Sequence, residues 1–171
     1  TNTYTVGGSV SGLTGSGLVL RNNGGDDLPI AGNGAFTFAT SVASGGAYAV
    51  TVFAQPGSPT QTCVVANGSG SIAGANVTNV AVSCTTNTYT VGGSVTGLTG
   101  SGLVLRNNGG DDLPISGNGA FTFATAVASG ANYAVTVFAQ PGSPTQTCVV
   151  ANDSGTIAGA NITNVAVSCT T

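Results

Sequence analysis

The sequence predicts an all-β chain made of two antiparallel β-sandwich domains in tandem, residues 1–85 and 86–171. Three observations carry this. Residues 1–85 return as 86–170 at a fixed offset of 85, with eight differences: Ser11/Thr96, Ala31/Ser116, Ser41/Ala126, Gly46/Ala131, Ala47/Asn132, Gly68/Asp153, Ser71/Thr156 and Val77/Ile162. A repeat this long, and inside the usual size range of a domain, is one fold written twice. Within each copy apolar residues alternate with polar ones, the period of a half-buried strand, and no stretch carries a helical stripe. Gly, Asn, Asp and Pro interrupt that alternation every roughly eight to twelve positions, the rhythm of a sandwich.

The elements follow in order. Tyr4, Val6, Gly8 and Val10 share one face of a first strand, and Leu18 and Leu20 share a face of the second. Phe36 and Phe38 line another strand after Gly32-Asn33-Gly34, and Tyr48, Val50 and Val52 another after Ser44-Gly45-Gly46. Cys63 and Val65 point together, as do Val80, Val82 and Cys84 in the last strand, giving about seven strands per copy. Thr85-Thr86-Asn87-Thr88 is the expected spacer; it lacks the composition of a free tether, so restricted bending and an elongated pair are expected. Thr171 takes the place of Thr1 and Thr86, which fits an excerpt from a longer array or a head-to-tail subunit.

Each Cys falls on the apolar face of its strand. Four Cys without a CxxC pair, in a chain lacking His, fit disulfides better than zinc. Of the three possible pairings, Cys63–Cys84 with Cys148–Cys169 lets each copy close by itself. Disulfides imply an oxidising compartment: periplasm, cell surface or outside the cell.

Composition excludes more than it assigns. The chain has no His, Lys, Glu, Met or Trp; its charged residues are Arg21, Arg106, Asp26, Asp27, Asp111, Asp112 and Asp153. Acid–base and nucleophilic catalysis near neutral pH draw mostly on the absent types, so no catalytic residue, cofactor or enzymatic role is expected. A net charge of -3 with two Arg cannot track phosphates, which excludes nucleic acid as partner. No apolar run approaches the ~20 residues of a spanning helix, so no transmembrane segment is expected. The short apolar runs also set the chain apart from a disordered one. Thr1 is not preceded by a charged, apolar leader, so any export signal is expected to be removed or to lie in a longer chain.

The stretches YTVGGSVSGLTGSGLVLRNNGGDDLPI, NGAFTFAT, YAVTVFAQP, QTCVVANGSG and ANVTNVAVSC resemble a repeat of bacterial cell-surface proteins and exported lipoproteins. That resemblance implies immunoglobulin-like or prealbumin-like sandwiches and an exported location. The order GLVL, NGAFTF, YAVTV is also similar to collagen-adhesin B-type stalk domains. Those stalks often carry an isopeptide bond from Lys; this chain has no Lys, and a disulfide is the covalent brace available instead.

Four features compete for a role. Arg21 to Asp27, repeated as Arg106 to Asp112, reads as a turn in which Asn and Gly accept positive φ and Arg offsets Asp. Calcium is the alternative, since Asp and Asn oxygens are hard ligands; few acids, no EF-hand spacing and no GGxGxD pattern weigh against any metal. Asn67, Asn76, Asn152 and Asn161 head glycosylation sequons, which an Asn/Thr-rich chain produces readily. Phe53 and Phe138 fall opposite Tyr48, Val50 and Val52 or their repeats, and Val19 also alternates outward, so these three are the candidate contacts for assembly between chains. Thr-rich ends such as Thr1-Asn2-Thr3-Tyr4-Thr5 read as an exposed strand face rather than an ice-binding one. Without Trp, and with few Tyr, a sugar-stacking platform is weakly supported. The expected function is a structural unit of a stalk, fibre or filament that self-associates; the competing one is an adhesive module taking a glycan or host protein through loops at one pole.

Overall fold

The computed structural model describes all 171 residues, and they form two compact all-β units, Thr1–Asn87 and Thr88–Thr171. The sequence period ends at residue 85, but the last strand of the first unit continues to Thr86, and Asn87 N–H still donates to Thr60 O at 3.0 Å. The expected spacer is thus largely strand.

The first unit has ten strands: β1 (Thr3–Tyr4), β2 (Val6–Ser11), β3 (Leu18–Asn22), β4 (Asp26–Ile30), β5 (Gly34–Thr37), β6 (Val42–Ala43), β7 (Ala47–Ala54), β8 (Gln61–Ala66), β9 (Ser69–Ser71) and β10 (Val77–Thr86). Seven of these have four residues or more; the two-residue β1 and β6 and the three-residue β9 carry too little alternation to be read from sequence. The second unit repeats them as β11 (Thr88–Tyr89), β12 (Val91–Thr96), β13 (Leu103–Asn107), β14 (Asp111–Ile115), β15 (Gly119–Thr122), β16 (Val127–Ala128), β17 (Asn132–Ala139), β18 (Thr147–Ala151), β19 (Ser154–Thr156) and β20 (Ile162–Thr170).

Each unit is a sandwich of two four-stranded sheets, ordered β5-β2-β10-β8 and β4-β3-β7-β9 in the first, plus a β1-β6 ribbon. The inner faces hold the residues that alternation assigns to them. Val6, Val10, Leu18, Leu20, Phe36, Phe38, Tyr48, Val50, Val80 and Val82 are all buried, with Tyr4, Val52 and Val65 packed at the margin. Phe36 and Phe38 meet edge to face with ring centres 5.8 Å apart, a favourable aromatic geometry.

One pairing in each sandwich departs from the antiparallel rule. The opening strand β2 lies parallel to the closing strand β10, with Val6 opposite Val77 and Gly8 opposite Val80. The two backbones press so closely that a Cβ on Gly8 would stand 1.7 Å from Val80 O. Gly8 therefore belongs to the core-facing set because it has no side chain, not because it packs one.

The disulfides join Cys63 to Cys84 and Cys148 to Cys169. Each ties directly opposed residues of neighbouring antiparallel strands, β8 with β10 and β18 with β20, so the brace lies within one sheet.

Side-chain amides, Gln61 buried and Asn33 exposed, replace charges as the polar fasteners of the loops. Gln61, 2 % exposed, accepts through Oε1 from Thr14 N–H and Gly15 N–H at 2.8 Å each, and donates through Nε2 to Gly12 O and Thr86 Oγ1. Asn33 pairs with both backbone groups of Leu13, which is how that leucine enters the core from outside any strand. No buried side-chain nitrogen or oxygen is left without a partner, as a stable interior requires.

Candidate functional site

The stretch Asn22-Asn23-Gly24-Gly25 is a tight turn joining β3 to β4. Asn23 and Gly24 both have positive φ, 48° and 72°, and Gly25 N–H donates back to Asn22 O at 3.2 Å. That is a type I′ geometry, whose twist matches paired strands and which favours an Asn-Gly pair. Asn22 is buried and its Oδ1 accepts from Ala49 N–H, while Asn23 Nδ2 donates to Ala47 O. The turn is thereby fastened to β7.

The turn brings Arg21 opposite Asp27 in the ladder. The guanidinium forms a two-pronged ion pair: Nε donates to Asp27 Oδ1, and Nη2 to Oδ2 at 2.7 Å. Hydrogen bonding from Arg21 holds the Asp27 carboxyl below its ordinary range, with partial desolvation opposing, and raises the guanidinium in turn. Both groups are partly exposed, so water screens the pair.

The ladder of β3 with β7 breaks between Val19 and Leu20: Val19 faces Ala54 and Leu20 faces Val52, leaving Phe53 unmatched on the outer surface. Phe53 is 56 % exposed, and the Arg21 guanidinium carbon sits 3.5 Å from its ring centre. The second unit reproduces the group as Arg106, Asp112 and Phe138, with 3.4 Å from guanidinium to ring. Val19, the third candidate, is half-buried on the same sheet.

The other candidate features are spoken for by the fold. Asp27 gives both oxygens to Arg21, and Asp26 Oδ2 accepts from Thr40 N–H at 2.9 Å, so the turn's carboxylates do not converge on a common point. No group of three or more His, Cys, Asp or Glu is placed to hold a metal ion. Asn67 and Asn152 adopt positive φ and donate to Asn79 O and Asn164 O, while Asn76 and Asn161 accept from Thr5 and Thr90 N–H. The sequon asparagines are thus fasteners of the backbone.

Sequence reasoning missed one exposed position. Val64 and Val149 are 58 % and 59 % exposed, on the outer face of the sheet opposite the Arg–Phe group. Alternation from Cys63 and Cys148 was the signal for it. That sheet carries no charged residue in any of its four strands. Shallow open grooves of 350 and 300 Å³ lie beside β5 and β15, lined in the first unit by Leu28, Ile30 and Phe36 among uncharged neighbours.

Fold and surface together define a tandem β-sandwich repeat protein, braced by one disulfide per repeat. No family model matches the chain, and no curated protein sequence matches it. Among solved structures it is similar to the streptococcal "High Identity Repeats in Tandem (SHIRT) domains 3-4 from cell surface protein", at 15 % identity and a TM-score of 0.31, covering 98 % of this chain and 97 % of that one. A likeness of that size leaves the reading of function to the residues.

Proposed function

We propose that the chain is a non-enzymatic structural repeat of a secreted or surface-anchored bacterial stalk, fibre or filament, and that neighbouring copies meet through their outer sheet faces. The carrying observation is the exposure of Phe53 and Phe138 on faces whose charges are already neutralised within the domain by Arg21–Asp27 and Arg106–Asp112. Aromatic residues and Arg are enriched at protein contacts, and a pre-paired charge carries less repulsion into one. Disulfides supply the brace that an extracellular repeat requires. The scarcity of Arg and the absence of Lys also remove the cleavage points of many proteases.

Sedimentation velocity and electron microscopy of the oxidised protein across rising concentration test this. Regular fibres that are lost in the Phe53→Ser, Phe138→Ser double variant are the expected result. A chain that stays monodisperse yet is retained on a glycan array or by a host protein supports the competing reading, a binding module working through its pole loops.

A further inference from the structure

We propose that the free edge of β5 and the groove beside it are where copies of the chain pair, antiparallel and about a two-fold axis near Phe36; β15 offers the same edge in the second unit. This rests on the reading that copies associate, and adds to the outer faces of Phe53 and Phe138 a second contact, at an edge of the other sheet. A sandwich has four open edges, and natural proteins guard such edges with charges, proline, short strands or covering groups. Three edges of each unit here are guarded. Edge strand β4 carries Asp26, Asp27 and Pro29, and β9 is three residues long. Edge strand β8 is covered by a side chain: the Gln55 amide accepts from Cys63 N–H at 2.7 Å and donates to Cys63 O at 3.0 Å, filling the place of a neighbouring strand. Gln61 N–H, at the start of the same strand, donates to Pro56 O.

The fourth edge, β5, is one residue longer than β9 and has neither charge, proline nor a covering side chain. Its sequence is Gly34-Ala35-Phe36-Thr37, with no charge and no proline. Phe38 N–H donates to Val6 O, and Phe36 stands opposite Gly8. By the alternation of an antiparallel ladder, Ala35 and Thr37 then turn their N–H and C=O groups away from β2. Both residues are exposed.

The occupant must match a groove lined without charge, because a charged strand would lose its hydration there with nothing to replace it. The β5 edge of a second copy matches. Pairing about Phe36 sets Ala35 of one copy opposite Thr37 of the other, so each outward donor meets an outward acceptor. The small Ala35 side chain and the Thr37 methyl and hydroxyl leave room for backbones at the usual ladder spacing of about 4.8 Å. Ala120 and Thr122 of β15 repeat the arrangement, which makes one chain bivalent, the minimum for an open-ended series. A four-residue edge is a weak contact singly, and repetition along an array multiplies it.

The test is sedimentation equilibrium of the oxidised chain, from micromolar to millimolar, beside the Thr37→Lys, Thr122→Lys variant, with amide hydrogen exchange on the wild type. The expected result is wild-type mass rising with concentration, a variant that associates more weakly while melting at the wild-type temperature, and slower exchange at Ala35 and Thr37 only in the associated state. If the variant fails to fold, the exchange result alone decides. A wild type that never associates overturns the assembly reading and this contact together. A wild type that associates while the well-folded lysine variant associates equally, or while the Ala35 and Thr37 amides stay unprotected, overturns the β5 contact and leaves assembly standing. Protection of those amides on addition of an uncharged extended peptide, with no association of copies, gives the edge to another partner and overturns the pairing.

Discussion

Arg21 lies over Phe53, with 3.5 Å between its guanidinium carbon and the ring centre, while the same guanidinium grips Asp27. The ring is held at the surface under a cation that another residue has already positioned. Arg21 and Phe53 should therefore be energetically coupled. Phe53→Ala is expected to lower the urea midpoint slightly, and Arg21→Ala to lower it less in the Phe53→Ala background than in the wild type. A double-mutant cycle measures the difference, and additive losses would show the stacking to be idle.

Stability should be nearly independent of pH across the neutral range. With all four cysteines bridged, the chain holds no free side chain whose ordinary titration lies between about pH 5 and 9. The carboxyls of Asp27 and Asp112 are held below their unfolded value by hydrogen bonds from Arg21 and Arg106. A lowered folded value stabilises above the unfolded one, near pH 4, and that contribution fades as pH falls through the folded value. Urea midpoints are expected to stay level from pH 9 to 5 and to fall below about pH 4, with a smaller acid fall in Asp27→Asn, Asp112→Asn. A midpoint that moves steadily through pH 7 would contradict this.

How much of this was legible beforehand differs by residue. The Arg21–Asp27 pair was, because both lie three residues from Gly24 and a hairpin closing there sets them opposite. The Phe53 contact was not, since it depends on β3 lying beside β7 and on a ladder break that alternation does not encode. The core faces of the long strands were legible, yet Leu13 and Ile72 lie outside every strand and are buried by loops. Two of the eight differences between copies are explained only by pairing. Ala47 and Ser71 are cross-strand partners, and their counterparts Asn132 and Thr156 share a hydrogen bond of 2.8 Å.

The disulfides should stabilise the units separately. Closing a loop with a sequence separation of 21 removes unfolded-state freedom amounting to roughly 3 kcal/mol. Cys63→Ala, Cys84→Ala is expected to split the denaturation curve, with the first unit unfolding earlier and the second unchanged. Fluorescence lacks Trp here, so the transition is best followed by far-ultraviolet circular dichroism. A single shifted transition would mean that the two units unfold as one.

Gly8→Ala and Gly93→Ala test the parallel pairing of first and last strands. A Cβ at either glycine would stand 1.7 Å from a backbone oxygen, of Val80 or Val165, and a ladder on both sides leaves the backbone little room to yield. Each change is expected to cost more than about 3 kcal/mol, at the diagnostic end for a single substitution. Gly24→Ala, whose Cβ meets nothing, is the milder comparison and carries only the penalty of positive φ. Equal losses at the two positions would remove close approach as the reason for Gly8.

Gln61 carries the most demanding test, because all its polar capacity is used in a dry place. Its oxygen holds the N–H groups of Thr14 and Gly15, and its nitrogen holds Gly12 O and Thr86 Oγ1. Gln61→Ala strands these partners, and an unsatisfied buried group costs about 1 to 3 kcal/mol. Gln61→Glu keeps the size and the two accepted bonds but faces Gly12 O with an oxygen, and must either bury a charge or hold a proton. Burial raises that carboxyl above its unfolded value of about 4.3, so its penalty grows as pH rises through and beyond that value and is relieved in acid. The Glu variant should thus come closest to wild-type stability near pH 4, and fall furthest behind near pH 8. Parallel curves for the two proteins over that range would mean that the side chain reaches water and that the fastening of the Gly12–Gly15 loop lies elsewhere.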